Sequence, residues 1–348
     1  MKLLIITQKV DQNDPVLGFM HGWLHAFAER SEKLTVICLQ KGEHALPPNV
    51  RVLSLGKESG VPRCGYIANF FRYAWQYRAD HDAVFVHMNQ EYLLLGGWLW
   101  KLLGKKCFMW RNHHSGDWRT HLAAMFCGAV FCTSKYSYTA RFKKTKLMPV
   151  GIDTEIFRPT SSISSGASSM VNRNVLFLAR MAPVKKPHVL IEAVSMLAKR
   201  GVAVKLDLYG DPLPADVGYY EGLKDMVKRE GLDEQVKFFA GIPNMQTVAV
   251  YQSHDVCVNL SSSGMYDKTI FEAMACGSLV LVSNRNLEGV IDSRCIFKEG
   301  DVADLAAKLS ALLSLSISER SNIIARLRTV AEENNLKTLV GRLITAMS

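Results

Sequence analysis

The stretch Ser261–Val282, SSSGMYDKTIFEAMACGSLVLV, passes from a polar loop through a short helical segment into an apolar strand, and it carries a carboxylate inside the helical part. Its pattern predicts a helix over Lys268–Ala275. Ile270 and Met274 fall on one face, Ala273 and Ala275 are small enough for close packing on a sheet, and Gly277 suits a C-terminal stop. A loop feeding a helix N-terminus presents unpaired backbone N–H groups, here around Asp267–Ile270, at the positive end of the helix dipole, and Lys268 adds a formal charge. Such a terminus attracts anions. Glu272 lies one turn further in, beside that site rather than on it, where a carboxylate accepts hydrogen bonds from sugar hydroxyls. The same carboxylate also reads as a helix cap or salt-bridge partner, and the stretch alone leaves both readings open.

Around this segment the chain alternates strands and helices. Lys2–Thr7, Phe19–Arg30 and Leu34–Leu39 form a βαβ pattern without the GxGxxG signature, so Gly18 is either a point of close backbone approach to a ligand or a plain loop glycine. Val50–Leu55, Ala83–His87, Lys106–Trp110, Ala129–Thr133 and Leu147–Val150 continue the strands, and Tyr66–Arg78, Tyr92–Leu103, Trp118–Phe126 and Lys135–Phe142 the helices. After the serine-rich TSSISSGASSMVN, Thr160–Asn172, the alternation restarts at Val175–Ala179. It runs through strands at Val204–Tyr209, Val236–Ala240, Val256–Leu260, Ser278–Val282 and Cys295–Phe297, and ends in helices Val302–Leu313 and Ile317–Asn334. The expected class is α/β, with two facing Rossmann-like, doubly wound domains. Ligands in such sheets bind outside the carboxyl ends of the strands.

The 348 residues are enough for two such cores. The apolar run Tyr92–Leu103 is broken by Gly96, Gly97 and Lys101 and is too short to cross a bilayer. Met1–Thr7 lacks a cleavage pattern, so a cytoplasmic protein is expected. The eight cysteines have neither CxxC pairing nor metal spacing and read as buried, reduced thiols. A net charge of +10 predicts attraction to nucleotides, nucleic acids or acidic membranes without choosing among them.

Arg180 and Lys185, in LFLARMAPVKKPHVLIEA, follow a strand in a strand-to-helix loop. An arginine fork and a lysine point charge there suit a pyrophosphate, although a solvated basic loop explains either residue taken alone. The ordered set ARMAPVKK, LDLYGD, VKFFAGIPN, HDVCVNLS and KTIFEAMACG resembles the donor half of the family 4 retaining glycosyltransferases with the GT-B fold. PVGIDTEIFRP, Pro149–Pro159, resembles that family's passage between domains, so the likeness extends over almost the whole chain.

The resemblance implies an acceptor-binding domain at 1–158, a linker at 159–172, a donor-binding domain at 173–330 and a C-terminal helix at 331–348 expected to pack back on the N-terminal domain. It implies metal-independent transfer, without cofactor, from a UDP- or GDP-sugar to a glycan or lipid-linked acceptor. Arg180 and Lys185 would bind the diphosphate, Glu272 the ribose, and Gly241, Ile242 and Asn244 the base. Asp267, Lys268 and Thr269 would line the donor site. His113, inside RNHHSGD, matches the family's histidine beside the donor sugar, with His114 as the alternative one position on. One departure stands out: the first glutamate of the family's pair falls at Gly264, and Met265, Tyr266 and Asp267 replace the glycine-rich continuation.

Two other classes are set beside this reading. An epimerase on a similar fold would turn over donor without acceptor, and a nucleic-acid binder would use the positive charge with Trp110 and Trp118, but no nucleic-acid motif accompanies them and no such partner is expected. Trp98, Trp100, Lys101, Leu102, Leu103, Lys105 and Lys106, with Arg141, Lys143, Lys144 and Lys146, suggest peripheral contact with the inner face of an anionic membrane.

Overall fold

The computed structural model describes residues 1–160, 173–264 and 266–348, so most of the serine-rich stretch and Met265 lie outside the described residues. The chain divides into two compact units, Met1–Gly151 with Leu336–Ser348, and Ile152–Asn335.

The first unit contains β1 (Lys2–Val10), α1 (Phe19–Glu29), β2 (Lys33–Lys41), β3 (Val50–Ser54), α2 (Arg63–Gln76), β4 (Ala83–His87), α3 (Glu91–Leu102), β5 (Lys106–Trp110), α4 (Trp118–Met125), β6 (Cys127–Cys132) and β7 (Thr145–Leu147). All pairings are parallel, in the order β3-β2-β1-β4-β5-β6-β7. Successive residues of β1 feed opposite faces. Leu3 and Ile5 pack with Trp23, Leu24 and Phe27 of α1, while Leu4 and Ile6 join Phe70 of α2 and Trp100 of α3. Both faces are buried, which is why the strand is continuously apolar instead of alternating.

The second unit contains β8 (Asn174–Leu178), α5 (Pro187–Lys199), β9 (Lys205–Tyr209), α6 (Val217–Arg229), β10 (Val236–Phe239), α7 (Thr247–Gln252), β11 (Val256–Asn259), α8 (Lys268–Cys276), β12 (Leu279–Val282), α9 (Val302–Leu313) and α10 (Ile317–Glu333). Its parallel order is β10-β9-β8-β11-β12. The order reverses between β8 and β11, so the connections leaving their carboxyl ends diverge and open a crevice there. A last helix, α11 (Leu336–Met347), places Leu339, Val340 and Leu343 in the first unit's core beside Trp23 and Phe27.

Several local expectations differ from the structure. Lys135–Phe142 is not an α-helix but a 3-10 turn over Tyr138–Arg141, because Ser and Thr side chains and the neighbouring loop take its backbone and side-chain bonds: Tyr138 N–H donates to His113 O and Thr139 Oγ1 to Arg111 O. The strand expected at Leu147–Val150 lies earlier, at Thr145–Leu147. Cys295–Phe297 reduces to one bridge, Val282 to Ile296, since Asp292 caps a 3-10 turn over Ser293–Cys295. Seven cysteines are buried, but Cys64 is exposed on the first turn of α2. Trp100 and Trp110 are core residues, whereas Trp98 and Trp118 are 48% and 68% exposed.

Candidate functional site

In the second unit α8 brings the sequence-selected residues together. The helix is buried on every side from Ile270 to Cys276, it packs against α7 and α10, and Gly277 ends it at φ 84°, where a side chain would be strained. A carboxylate on such a helix has to find partners inside the protein. Glu272 is 3% exposed, and Asn244 Nδ2 donates to its Oε1 at 3.0 Å and Tyr251 Oη to its Oε2 at 2.9 Å. Burial pushes the Glu272 carboxyl up, against the pull of the Asn244 and Tyr251 hydrogen bonds and the Lys268 charge. Half-buried Lys268 is brought down to about 7 by its removal from water, with Glu272 opposing the shift.

A second network sits at the N-cap. Asp267 Oδ2 accepts from Lys185 Nζ at 2.6 Å, from Asn259 Nδ2 at 3.1 Å and from Ser261 Oγ. Lys185 Nζ also donates to Ser261 Oγ at 3.0 Å, and Asn259 Nδ2 to Thr269 Oγ1 at 3.2 Å. Burial works to raise the Asp267 carboxyl, but the Lys185 charge and these hydrogen bonds outweigh it and hold it down to about 2. Lys185 thus carries a built-in counter-ion. Its backbone is also fixed: Lys186, next in the chain, adopts a left-handed conformation at φ 53° ahead of Pro187, the first residue of α5.

Arg180 leaves β8 in the same connection, and its guanidinium has no hydrogen-bond or ion-pair partner among the described residues. The connection is held close to its neighbours by Gly210. At φ 144°, a Cβ there would sit 2.0 Å from Ala179 O, so only glycine lets β9's exit pass this tightly. Gly241 N–H donates to Asp211 Oδ2 at 3.0 Å, which orients the loop through Ile242 to Asn244.

In the first unit Gly18 is the buried residue preceding α1, in a right-handed conformation that does not require glycine. His113 lies in the connection after β5. Its Nδ1 meets Ser115 N at 3.1 Å and Ser115 Oγ at 2.9 Å, and its ring stacks on that of exposed His114 at 4.5 Å. Burial, with the His114 and Arg111 charges, lowers its basicity. Its Nε2 lacks a partner among the described residues.

The structure brings Lys185, Asp267 and Thr269 into one network and Asn244, Lys268 and Glu272 into another, both on α8. Sequence reading passed over Tyr251, Asn259 and Ser261. Asn259 left a trace, a polar residue closing the apolar run VCVN, while Tyr251 reads as an ordinary core aromatic.

Residues 165–330 match the family described as Glycosyl transferases group 1. Among relatives, the D-inositol 3-phosphate glycosyltransferase of Segniliparus rotundus is 26% identical over 149 residues, covering 42% of this chain and 33% of that protein. The protein of the same name from Arthrobacter sp. is 29% identical over 150 residues, covering 42% and 35%. The chain thus spans about a third of the length of these relatives. Among solved structures, Anabaena Alr3699/HepE in complex with UDP and glucose superimposes with a TM-score of 0.78 at 18% identity, covering 99% of this chain and 98% of that one. Sucrose-phosphate synthase from Thermosynechococcus elongatus gives 0.79 at 16%, covering 99% and 98%. These likenesses, with the two parallel sheets, establish the fold as GT-B.

Proposed function

We propose that the chain is a retaining glycosyltransferase that uses a nucleoside-diphosphate sugar and needs no metal. The observation that carries this reading is the placement of α8. Its N-terminus, with Lys185 beside it, lies at the switch point of a parallel sheet, and buried Glu272 lies one turn further in. Arg180, Lys185 and the helix terminus hold the diphosphate. Glu272 receives the ribose, since each carboxylate oxygen keeps a second lone pair after accepting from Asn244 or Tyr251. The loop Gly241–Asn244 receives the base. The UDP bound in the Anabaena relative supports a UDP-sugar as the first donor to test, ahead of a GDP-sugar.

In the transfer step the acceptor oxygen bonds to the anomeric carbon on the face from which the diphosphate leaves. The carbon–phosphate-oxygen bond breaks, and the acceptor's proton passes to the departing diphosphate. Positive charge from Arg180 and Lys185 stabilises that leaving group as it forms. His113 serves transfer and not diphosphate binding in this assignment, so His113→Ala retains diphosphate affinity.

Calorimetry with UDP and GDP tests the site directly. A bound diphosphate raises the Lys268 pKa from about 7, so binding at pH 8 takes up protons and affinity falls as pH rises through about 7. Heats that depend on buffer ionisation enthalpy are expected at pH 8. Equal heats in every buffer remove Lys268 from the anion site.

The acceptor is proposed to be a glycan or a lipid-linked glycan at the cytoplasmic face of a membrane. Lys105, Lys106, Lys143, Lys144 and Lys146 line a cleft of about 410 Å³ in the first unit. Leu102 is 77% exposed nearby in sequence, and no helix among the described residues is long and apolar enough to cross a membrane. Lysines near anionic lipid contribute roughly 1 kcal/mol each. Co-sedimentation with anionic vesicles at low salt is expected, and to be lost when Lys143, Lys144 and Lys146 are changed to Glu. Negligible sedimentation of the unaltered protein in all conditions points to a soluble acceptor.

A further inference from the structure

Two consecutive lysines in the connection from β8 to α5 are tied to two consecutive serines after β11. Lys185 Nζ donates to Ser261 Oγ at 3.0 Å. Lys186 Nζ donates to Glu299 Oε1 at 2.6 Å, and Ser262 Oγ donates to the same oxygen at 2.7 Å. Glu299 thus joins the two connections from a third segment, the turn that opens α9. That turn is itself anchored. Ile296 bridges to Val282 of β12, Lys298 N–H donates to Asp304 Oδ2 at 2.7 Å, and α9 packs against α5. Burial pushes the Glu299 carboxyl up, but the hydrogen bonds from Lys186 and Ser262 and the Lys186 charge hold it below its ordinary value, so it is ionised at neutral pH.

Lys186 needs such a hold. Its φ of 53° lies in the left-handed region, where a lysine is disfavoured, and the proline that follows restricts it further. A residue stays in that conformation only when its surroundings fix it. Among the described residues the polar partner of its side chain is Glu299. Because α5 is packed in place, a rotation about the Lys186 N–Cα bond swings Lys185 and not the helix. We infer that Glu299 is a positioning residue for transfer: by fixing Lys186 in its left-handed turn beside Ser262, it sets where Lys185 Nζ meets the diphosphate. This rests on the assignment of Lys185 above. The sign of the effect separates positioning from bulk electrostatics. A carboxylate near a diphosphate repels it, so through charge alone the loss of Glu299 would tighten binding, whereas the loss of a positioned lysine weakens it.

The test is calorimetry with UDP and GDP. Glu299→Ala is expected to bind the diphosphate that the unaltered protein binds about tenfold more weakly. Its denaturation midpoint should move little, because the Glu299 side chain is 35% exposed and such ion pairs add little to stability. Two further variants show whether the effect runs through Lys185. In a Lys185→Ala background, Glu299→Ala should change affinity by less than about twofold, since the group it positions is gone. Glu299→Ala with Lys186→Gly should regain most of the loss, because glycine adopts the left-handed conformation without a hold. Unchanged or tighter binding by Glu299→Ala, an equal loss with and without Lys185, or no recovery with glycine at 186 overturns the inference. An unaltered protein that binds neither diphosphate, or a Lys185→Ala protein that binds as tightly as the unaltered one, overturns the reading of Lys185 and this inference with it.

Discussion

Replacing Lys185 with Ala is expected to lower transfer by about 10²- to 10³-fold, the usual cost of removing one preorganised group that stabilises developing charge. Lys185 Nζ lies 2.6 Å from Asp267 Oδ2, so its loss does more than remove a cation from the leaving group. It strips the Asp267 carboxylate of its counter-charge at the place where a dianion has to bind. Diphosphate affinity should therefore fall as well, by about 1–3 kcal/mol. Adding Asp267→Asn to Lys185→Ala removes the stranded carboxylate and should restore part of the binding without restoring turnover. A Lys185→Ala enzyme with unaltered turnover would falsify the leaving-group role. Failure of the double variant to regain affinity would show that the carboxylate does not repel the ligand.

Glu272 is expected to produce the largest effect on folding. In Glu272→Ala the half-buried Asn244 amide and the buried Tyr251 hydroxyl lose their acceptor, and a void opens in a helix packed on all sides. Together these cost about 3–5 kcal/mol, a downward shift in denaturation midpoint readily measured by urea or heat. Glu272→Gln keeps the volume. Its amide oxygen still accepts one of the two hydrogen bonds and the Tyr251 hydroxyl can rotate to accept the other, so the folding penalty should be far smaller. The same variant should still weaken nucleotide binding by about 1–3 kcal/mol through the ribose. Comparing the two separates the structural from the ligand-binding role. Equal stability of Glu272→Ala and the unaltered protein would mean that the Asn244 and Tyr251 contacts contribute nothing.

Much of the candidate site was legible because its residues stand at positions with a generic chemical meaning. Lys268 and Glu272 lie one turn apart on a short helix, and Arg180 and Lys185 follow a strand. The fates of these side chains were less visible. Glu272 reads equally as a cap and as a ligand, and the structure adds what the sequence does not show, that it is a buried acceptor for Asn244 and Tyr251. Tyr251 escaped notice because an aromatic on a short amphipathic helix has the signature of a core residue, and its hydroxyl partner is 21 positions away. The short Lys135–Phe142 segment misled for a related reason: its helical pattern competes with Ser and Thr hydrogen bonds to a distant loop.

The sequence by itself determined the two parallel sheets. Strands covered by helices on both faces have to be apolar throughout, and that run-and-period alternation is written locally in residues such as Leu3–Ile6 and Leu279–Val282. Strand order is not local. The tertiary structure decided that β8 and β11 are neighbours, and this adjacency brings Lys185 against Asp267 across 82 positions of chain. An ion pair depends on a distance of a few ångströms between groups that carry no mark of each other along the chain. The same holds for Oδ2 of Asp267, since which oxygen takes the donors is set only once Asn259, Ser261 and Lys185 converge on one side of the carboxylate.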